Sequence, residues 1–179
     1  MADTIRTLAE LNALLADNVN GDASTQDIRD FIQSLLVHAA IGRVGNATPQ
    51  AFTATPSAVV LDAQLQARHL ATDLVAYSIT TPVELSTARY NIAWEINYMG
   101  QAGDSGRFTI AAYKNGTTKI DATERVIDIV DGVIGQVFCN VQGVTLAGED
   151  EVNLTIKADG SKDLLIANAQ LSVQRLGIE

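Results

Sequence analysis

The 179 residues carry 21 Asp and Glu against 12 Lys and Arg, a formal net charge of −9. Such a surface repels phosphate backbones, and the basic residues are scattered without a local patch, which argues against a nucleic-acid partner. With 47 % hydrophobic residues, 18 % charged residues and three prolines, the chain suits one substantial folded domain with an appendage and no long linker.

The start, Met1 to Arg6, lacks a basic run followed by an apolar one, so no signal peptide is expected. No apolar stretch approaches the roughly twenty residues that span a bilayer. The expectation is a soluble chain made in the cytoplasm, with no membrane partner. Cys139 is the single cysteine, which rules out an intrachain disulfide, and its strand-like surroundings favour a buried, inert thiol.

Ile5, Leu8, Leu11, Leu14 and Leu15 recur at spacings of three and four, as in a short amphipathic helix. Asp17–Asp22 breaks it with turn-forming residues. A second helix follows, with Ser24 or Thr25 as its cap and Gln26 and Asp27 in its first turn. Its apolar stripe is Ile28, Phe31, Ile32, Leu35 and Leu36. A helix of about sixteen residues is marginal alone in water, so this stripe needs a partner. The partner is either the chain's own β domain and first helix or a neighbouring subunit.

Gly42–Pro49 reads as a loop, dividing a helical leader (1–48) from a β domain (49–179). Val59, Leu61, Ala63, Leu65 and Ala67 alternate with polar positions as a strand would, and Leu74–Ile79 is a second strand ended by Thr81-Pro82. The centre of the chain is the run Tyr90–Tyr98. Tyr90, Ile92, Trp94, Ile96 and Tyr98 share one parity, the period of a strand with one buried face. The alternation leaves open whether Tyr90, Trp94 and Tyr98 face the core or a neighbouring copy.

Further strands are expected over Arg107–Lys114, Thr118–Ile129, Val133–Leu146, Glu151–Ala158 and Leu164–Arg175. Asn115-Gly116, Asp131-Gly132, Ala147-Gly148 and Asp159–Ser161 separate them. Asn-Gly tolerates the positive φ of a tight hairpin. In the last strand Leu165, Ala167, Ala169, Leu171 and Val173 fall on one face. Many short strands punctuated by Gly and Asp turns predict a mainly β protein, a jelly-roll sandwich with a short N-terminal α-helical leader.

No device for chemistry stands out. His38 and His69 have no companion at metal-ligand spacing, and nucleophile and phosphate-loop motifs are missing. Gly100–Gly106 lies between strands and reads as a hairpin tip. Glu149–Glu151, Asp121, Asp128 and Asp131 read as solvated acidic positions. The expectation is no catalytic residue, no metal and no cofactor.

Several stretches, in order, resemble the jelly roll of the tumour-necrosis-factor and complement-globular-head superfamily, in the versions found in bacteriophage structural proteins. They are Ala88–Trp94, Ala112–Thr117, Leu146–Leu154 and Leu164–Val173. The leader is similar to a segment recurrent in tailed-phage virion proteins, on Asn18, Gly21, Asp22, Gln26, Asp27, Arg29, Asp30, Ser34 and Leu35, with Ala23 where a β-branched residue is usual. The resemblance implies a homotrimer packed through apolar and aromatic faces and located in a virion, on the head surface rather than the tail.

The function it implies is a capsid decoration (cement) protein. Its N-terminal arm would bind the major capsid protein or other virion proteins through Ile28, Phe31, Ile32, Leu35 and Leu36. A fibre-tip or baseplate protein is the alternative, recognising the host surface through the tips at Gly103–Gly106 and Asp159–Ser161. A bacterial carbohydrate-binding or hydrolytic sandwich ranks a distant third.

Overall fold

The computed structural model describes residues 10, 13, 24–35, 37–44, 48–68, 70–83 and 87–176. Among the described residues, the helix α1 (Thr25–Leu35) precedes thirteen strands in two antiparallel sheets. The first sheet is ordered β11 (Ile134–Ala147), β7 (Thr87–Gly100), β13 (Lys162–Arg175), β1 (His38–Val44) and β4 (Ala63–Arg68), with β2 (Gln50–Phe52) also on β13. The second is ordered β10 (Arg125–Ile129), β8 (Gly106–Lys114), β12 (Glu151–Ala158), β6 (Ser78–Thr80) and β5 (Ala71–Asp73). β3 (Ser57–Ala58) joins β12 and β9 (Thr118–Lys119) joins β8.

The alternation of the central strands builds the core. β7 turns Tyr90, Ile92, Trp94 and Ile96 inward, and β8 and β12 answer from the facing sheet with Phe108, Ile110, Leu154 and Ile156. Each such side chain, fully withdrawn from water, contributes about 1.5–3 kcal/mol. Trp94 keeps its indole N–H satisfied by donating to the Thr123 carbonyl at 3.2 Å. Thr123 sits in a 3-10 turn (Asp121–Thr123) and its hydroxyl also accepts the Ala112 N–H at 2.9 Å. That buried threonine therefore ties the two sheets together.

Two consecutive-strand connections define the sides of the sandwich. β10 and β11 are the outermost strands of their sheets on one side, joined through the turn at 130–133; β4 and β5 are outermost on the other.

Several sequence expectations need correction. The helix ends at Leu35, and the Gly42–Pro49 stretch begins inside a strand: β1 pairs with β13 along its whole length and with β4 on its other side. The sheet thus starts at His38, ahead of the boundary expected at 48. Leu74–Ile79 is not one strand: Leu74–Tyr77 is a turn, in which the Asp73 carboxylate accepts the N–H groups of Val75 and Ala76 and Tyr77 adopts a φ of 55°, and β6 begins only at Ser78. Thr118–Ile129 is broken by the 3-10 turn. Val59 and Leu61 are buried, but their segment precedes the strand, which runs only from Ala63.

In β13 a bulge between Ile166 and Asn168 shifts the parity. Leu164 and Ile166 face inward before it and Ala169, Leu171 and Val173 after it, so Leu165 and Ala167 leave the predicted face. The Asn115-Gly116 hairpin forms as the dipeptide requires, with φ of 51° and 67° and the Thr117 N–H donating to the Lys114 carbonyl.

Candidate interaction surfaces

The β10–β11 side carries five exposed large apolar side chains. Val126 on β10, Val130 and Val133 in the connecting turn, and Ile134 and Phe138 on β11 all lie open to solvent, Ile134 at 77 % and Phe138 at 70 % exposure. β11 is an edge strand whose inward parity (Val137, Cys139, Val141) packs on the core, so its outward parity is left holding a large ring. Exposed apolar side chains of this kind make the edge a candidate interaction surface.

Around the corner, the outer face of the first sheet is polar, with Glu95 and Arg43 as the charged residues lining its grooves. Cross-strand register places Phe138, Glu95 and Gln170 side by side, with Asn140, Ala93 and Ser172 in the next row. The Glu95 carboxylate accepts the Gln136 amide at 2.7 Å and the Asn97 amide at 3.2 Å. A shallow groove of about 240 Å³ runs between Phe138, Asn140, Gln170 and Ser172 over the small Ala93. A smaller one of about 130 Å³ adjoins it, beside Asn97, Asn168 and Leu65. Small and amide side chains make this a face that a neighbouring surface can approach closely.

The aromatic strand resolves into one side of its alternatives: Tyr90 and Trp94 are buried between the sheets, and Tyr98 packs against the core's margin. Burial raises the Tyr90 phenol to about 12, outweighing the nearby Arg175 and acting in the same direction as Asp150. Phe138 and Ile134 were not singled out from the sequence. The parity of Val133–Leu146 was the available signal, with Ile134, Gln136, Phe138 and Asn140 on one side.

The helix shows an unexpected pattern of exposure. The Asp27 N–H donates to the Ser24 hydroxyl at 3.1 Å, and the Asp27 carboxylate accepts the Ser24 N–H at 2.9 Å, a reciprocal capping box. Further along, Asp30 is the buried position at 1 % exposure, whereas Ile28, Phe31 and Ile32 are exposed, Ile28 at 53 %. The side chain of Leu35 and all of Leu36 lie outside the described residues.

The two predicted tips meet at one end of the sandwich. Lys162 Nζ donates to the Ser105 carbonyl at 2.7 Å, and the Asp159 carboxylate accepts the Arg107 N–H at 3.2 Å. Asp131 closes the same end, accepting the Gly103 N–H at 2.8 Å and the Ser105 hydroxyl at 2.6 Å. The Ser105 hydroxyl and then the Gly103 N–H hold its carboxyl below the usual range.

Of the remaining titratable candidates, Asp121 and Asp128 pair on the surface with Lys119 and Arg107. Asp150 is structural: it accepts the Ala147 N–H and the Asn115 amide and lies 3.4 Å from Lys114 Nζ. Burial pushes its carboxyl up, but those partners together hold it below the ordinary carboxylate range. Burial raises the Cys139 thiol, against a weaker pull from Arg125. Among the described residues, no three His, Cys, Asp or Glu side chains gather as a metal would need, and His69 lies outside them.

No family model matches the chain, and no curated protein sequence matches it. Solved structures do. The Eiger TNF of S. frugiperda superposes with a TM-score of 0.58 at 8 % identity, covering 80 % of this chain and 94 % of that one. Murine APRIL gives a TM-score of 0.50 at 11 % identity, covering 78 % of this chain and 99 % of that one. The fold is a TNF-like jelly roll.

Proposed function

We propose that this chain is a homotrimeric structural protein, a decoration protein of a phage capsid, whose amino-terminal helix grips the shell. The observation that carries the reading is the helix that buries Asp30 and leaves Ile28, Phe31 and Ile32 in water. An apolar stripe left partly in water is suited to another protein's groove, where each fully buried residue contributes about 1.5–3 kcal/mol. The homotrimer rests on the TNF-like fold together with the exposed edge: Val126, Ile134 and Phe138 seat against the amide-lined sheet face of a neighbouring copy. The virion assignment rests on the leader's resemblance to tailed-phage proteins.

The test mixes purified protein with empty expanded phage heads and measures co-sedimentation. Wild-type trimers are expected to bind, and Phe31→Asp trimers to lose at least about tenfold in affinity while sedimenting as before. Equal binding by the two removes the anchoring role. The fibre-tip reading draws its support from the tip residues Gly103–Gly106 and Asp159–Ser161, held together by Lys162. Attachment to whole host cells with no attachment to heads favours it.

A further inference from the structure

Asn115-Gly116 is the dipeptide most prone to deamidation, because glycine leaves the following backbone nitrogen unhindered. In this fold it is exposed at a hairpin, and a side chain at Gly116 would meet nothing within 4 Å. Water and base therefore reach it freely.

Its carboxamide is nonetheless fully engaged. Nδ2 donates to Asp150 Oδ1 at 2.8 Å, and Oδ1 accepts the Glu151 N–H at 2.8 Å. The Asn115 N–H donates to the Glu151 carbonyl, also at 2.8 Å. Three bonds thus pin one residue against the start of β12. We infer that Asn115 is a latent deamidation site, kept silent by the Asp150–Glu151 corner and released when that corner opens.

The reaction is ring closure followed by hydrolysis. The Gly116 nitrogen attacks Asn115 Cγ, the new C–N bond forms, the Cγ–Nδ2 bond breaks and ammonia leaves with the amide proton. Water then opens the succinimide at either carbonyl, giving aspartate or isoaspartate. For the attack, the carboxamide must rotate over the Gly116 nitrogen, which requires breaking both of its side-chain hydrogen bonds. Losing two such bonds slows closure on the order of tenfold or more.

The product also works against the fold. An aspartate at 115 sets a carboxylate where an amide now donates to Asp150, and like charges at that spacing repel. Asp150 and its neighbours are the fastening point for the chain between β6 and β7, since the Asp150 carbonyl accepts the Thr81 N–H and the Thr81 carbonyl accepts the Glu149 N–H. Deamidation would therefore loosen a junction of several turns.

Peptide mass spectrometry after incubation at mildly alkaline pH tests this, comparing the native protein with the chain in concentrated urea. Asn20-Gly21 in the same chain serves as the clock for the unfolded reaction. In urea the two sites should react at similar rates, and in the native protein Asn115 should react at least about tenfold more slowly than it does in urea. Asp150→Asn should recover several-fold of that rate, and Asn115→Asp should melt below the native protein. Native Asn115 reacting as fast as in urea overturns the inference, whatever the variants do. A slow native rate that Asp150→Asn leaves untouched overturns the role of Asp150.

Discussion

The two open sides of the sandwich face water with opposite chemistry. On the β4–β5 side, Gln64, Gln66 and Arg68 are exposed, the Thr72 hydroxyl donates to the Gln64 amide oxygen at 2.7 Å across the two sheets, and Asp73 folds the following turn back on itself. Leu65 in β4 and Val75 in the turn after β5, at 87 % exposure, are the exposed large apolar side chains described there. On the β10–β11 side, Val126, Val130, Val133, Ile134 and Phe138 are exposed together. Edge strands invite further pairing, and proteins guard them with polar and charged groups. The polar guard is heavier on the β4–β5 side, and the exposed apolar surface is heavier on the β10–β11 side. The difference favours the β10–β11 side as the place where the proposed neighbouring copy would dock.

The strongest way to break that contrast is charge. Ile134→Asp with Phe138→Asp is expected to convert the proposed trimer to monomers in sedimentation velocity, because the central apolar residues of an interface are each worth about 2 kcal/mol or more. Leu65→Asp, on the guarded side, should leave the sedimentation unchanged. If Leu65→Asp dissociates the assembly and the double variant does not, the assignment of the sides is reversed.

A smaller effect separates the two sides by backbone crowding. A Cβ on Gly100, at the end of β7, would collide with the Val130 carbonyl in the β10–β11 connection. That oxygen belongs to backbone already held by the Val130–Val133 turn, so it has little room to move. A Cβ on Gly42 in β1 would come within 2.8 Å of both the Ala169 carbonyl and the partly exposed Leu65 side chain, which can swing aside more easily. Thermal or urea unfolding should therefore show Gly100→Ala losing about 1–3 kcal/mol, and Gly42→Ala losing less. Equal losses would mean that the two sides are equally rigid.

Much of this frame was legible in the chain. Alternation fixed the inward set of β7, and Asn115-Gly116 and Asp131-Gly132 marked their turns, because side-chain parity and positive φ are local properties. Bulges are not. The switch at Ala167 in β13, and the one between Val141 and Val144 that Gly143 accommodates with a φ of 79°, depend on what the neighbouring strand presents. β1 was hidden for a related reason. Ala39 and Ile41 alternate with Ala40 and Gly42, a weak pattern made a strand by pairing with residues more than a hundred positions away. The apolar stripe of α1 was readable, but its outward setting was not, since that depends on what receives Asp30.

The finest test of the contrast is acid, because the two sides carry titrating groups of different ranges. His38 sits in β1 opposite Arg68 of β4. Burial, and then the Arg68 charge, hold its pKa below the ordinary 6.5. The folded state thus favours the neutral ring, so the contribution is complete above pH 6.5 and declines as pH falls from there towards the folded value. Asp131, on the other side, is held below its ordinary 3.8 first by the Ser105 hydroxyl and then by the Gly103 N–H. Its contribution is complete above that value and is lost only as pH falls through the lower folded one. Acidification should therefore loosen the guarded side first. Amide hydrogen exchange should show protection in β1 and β4 weakening in the histidine range while Gly103 and the 130–133 turn stay protected into the carboxylate range. His38→Gln should abolish the early step and leave the later one in place. Simultaneous loss on both sides, confined to the carboxylate range, would mean that His38 has no part in holding the guarded side.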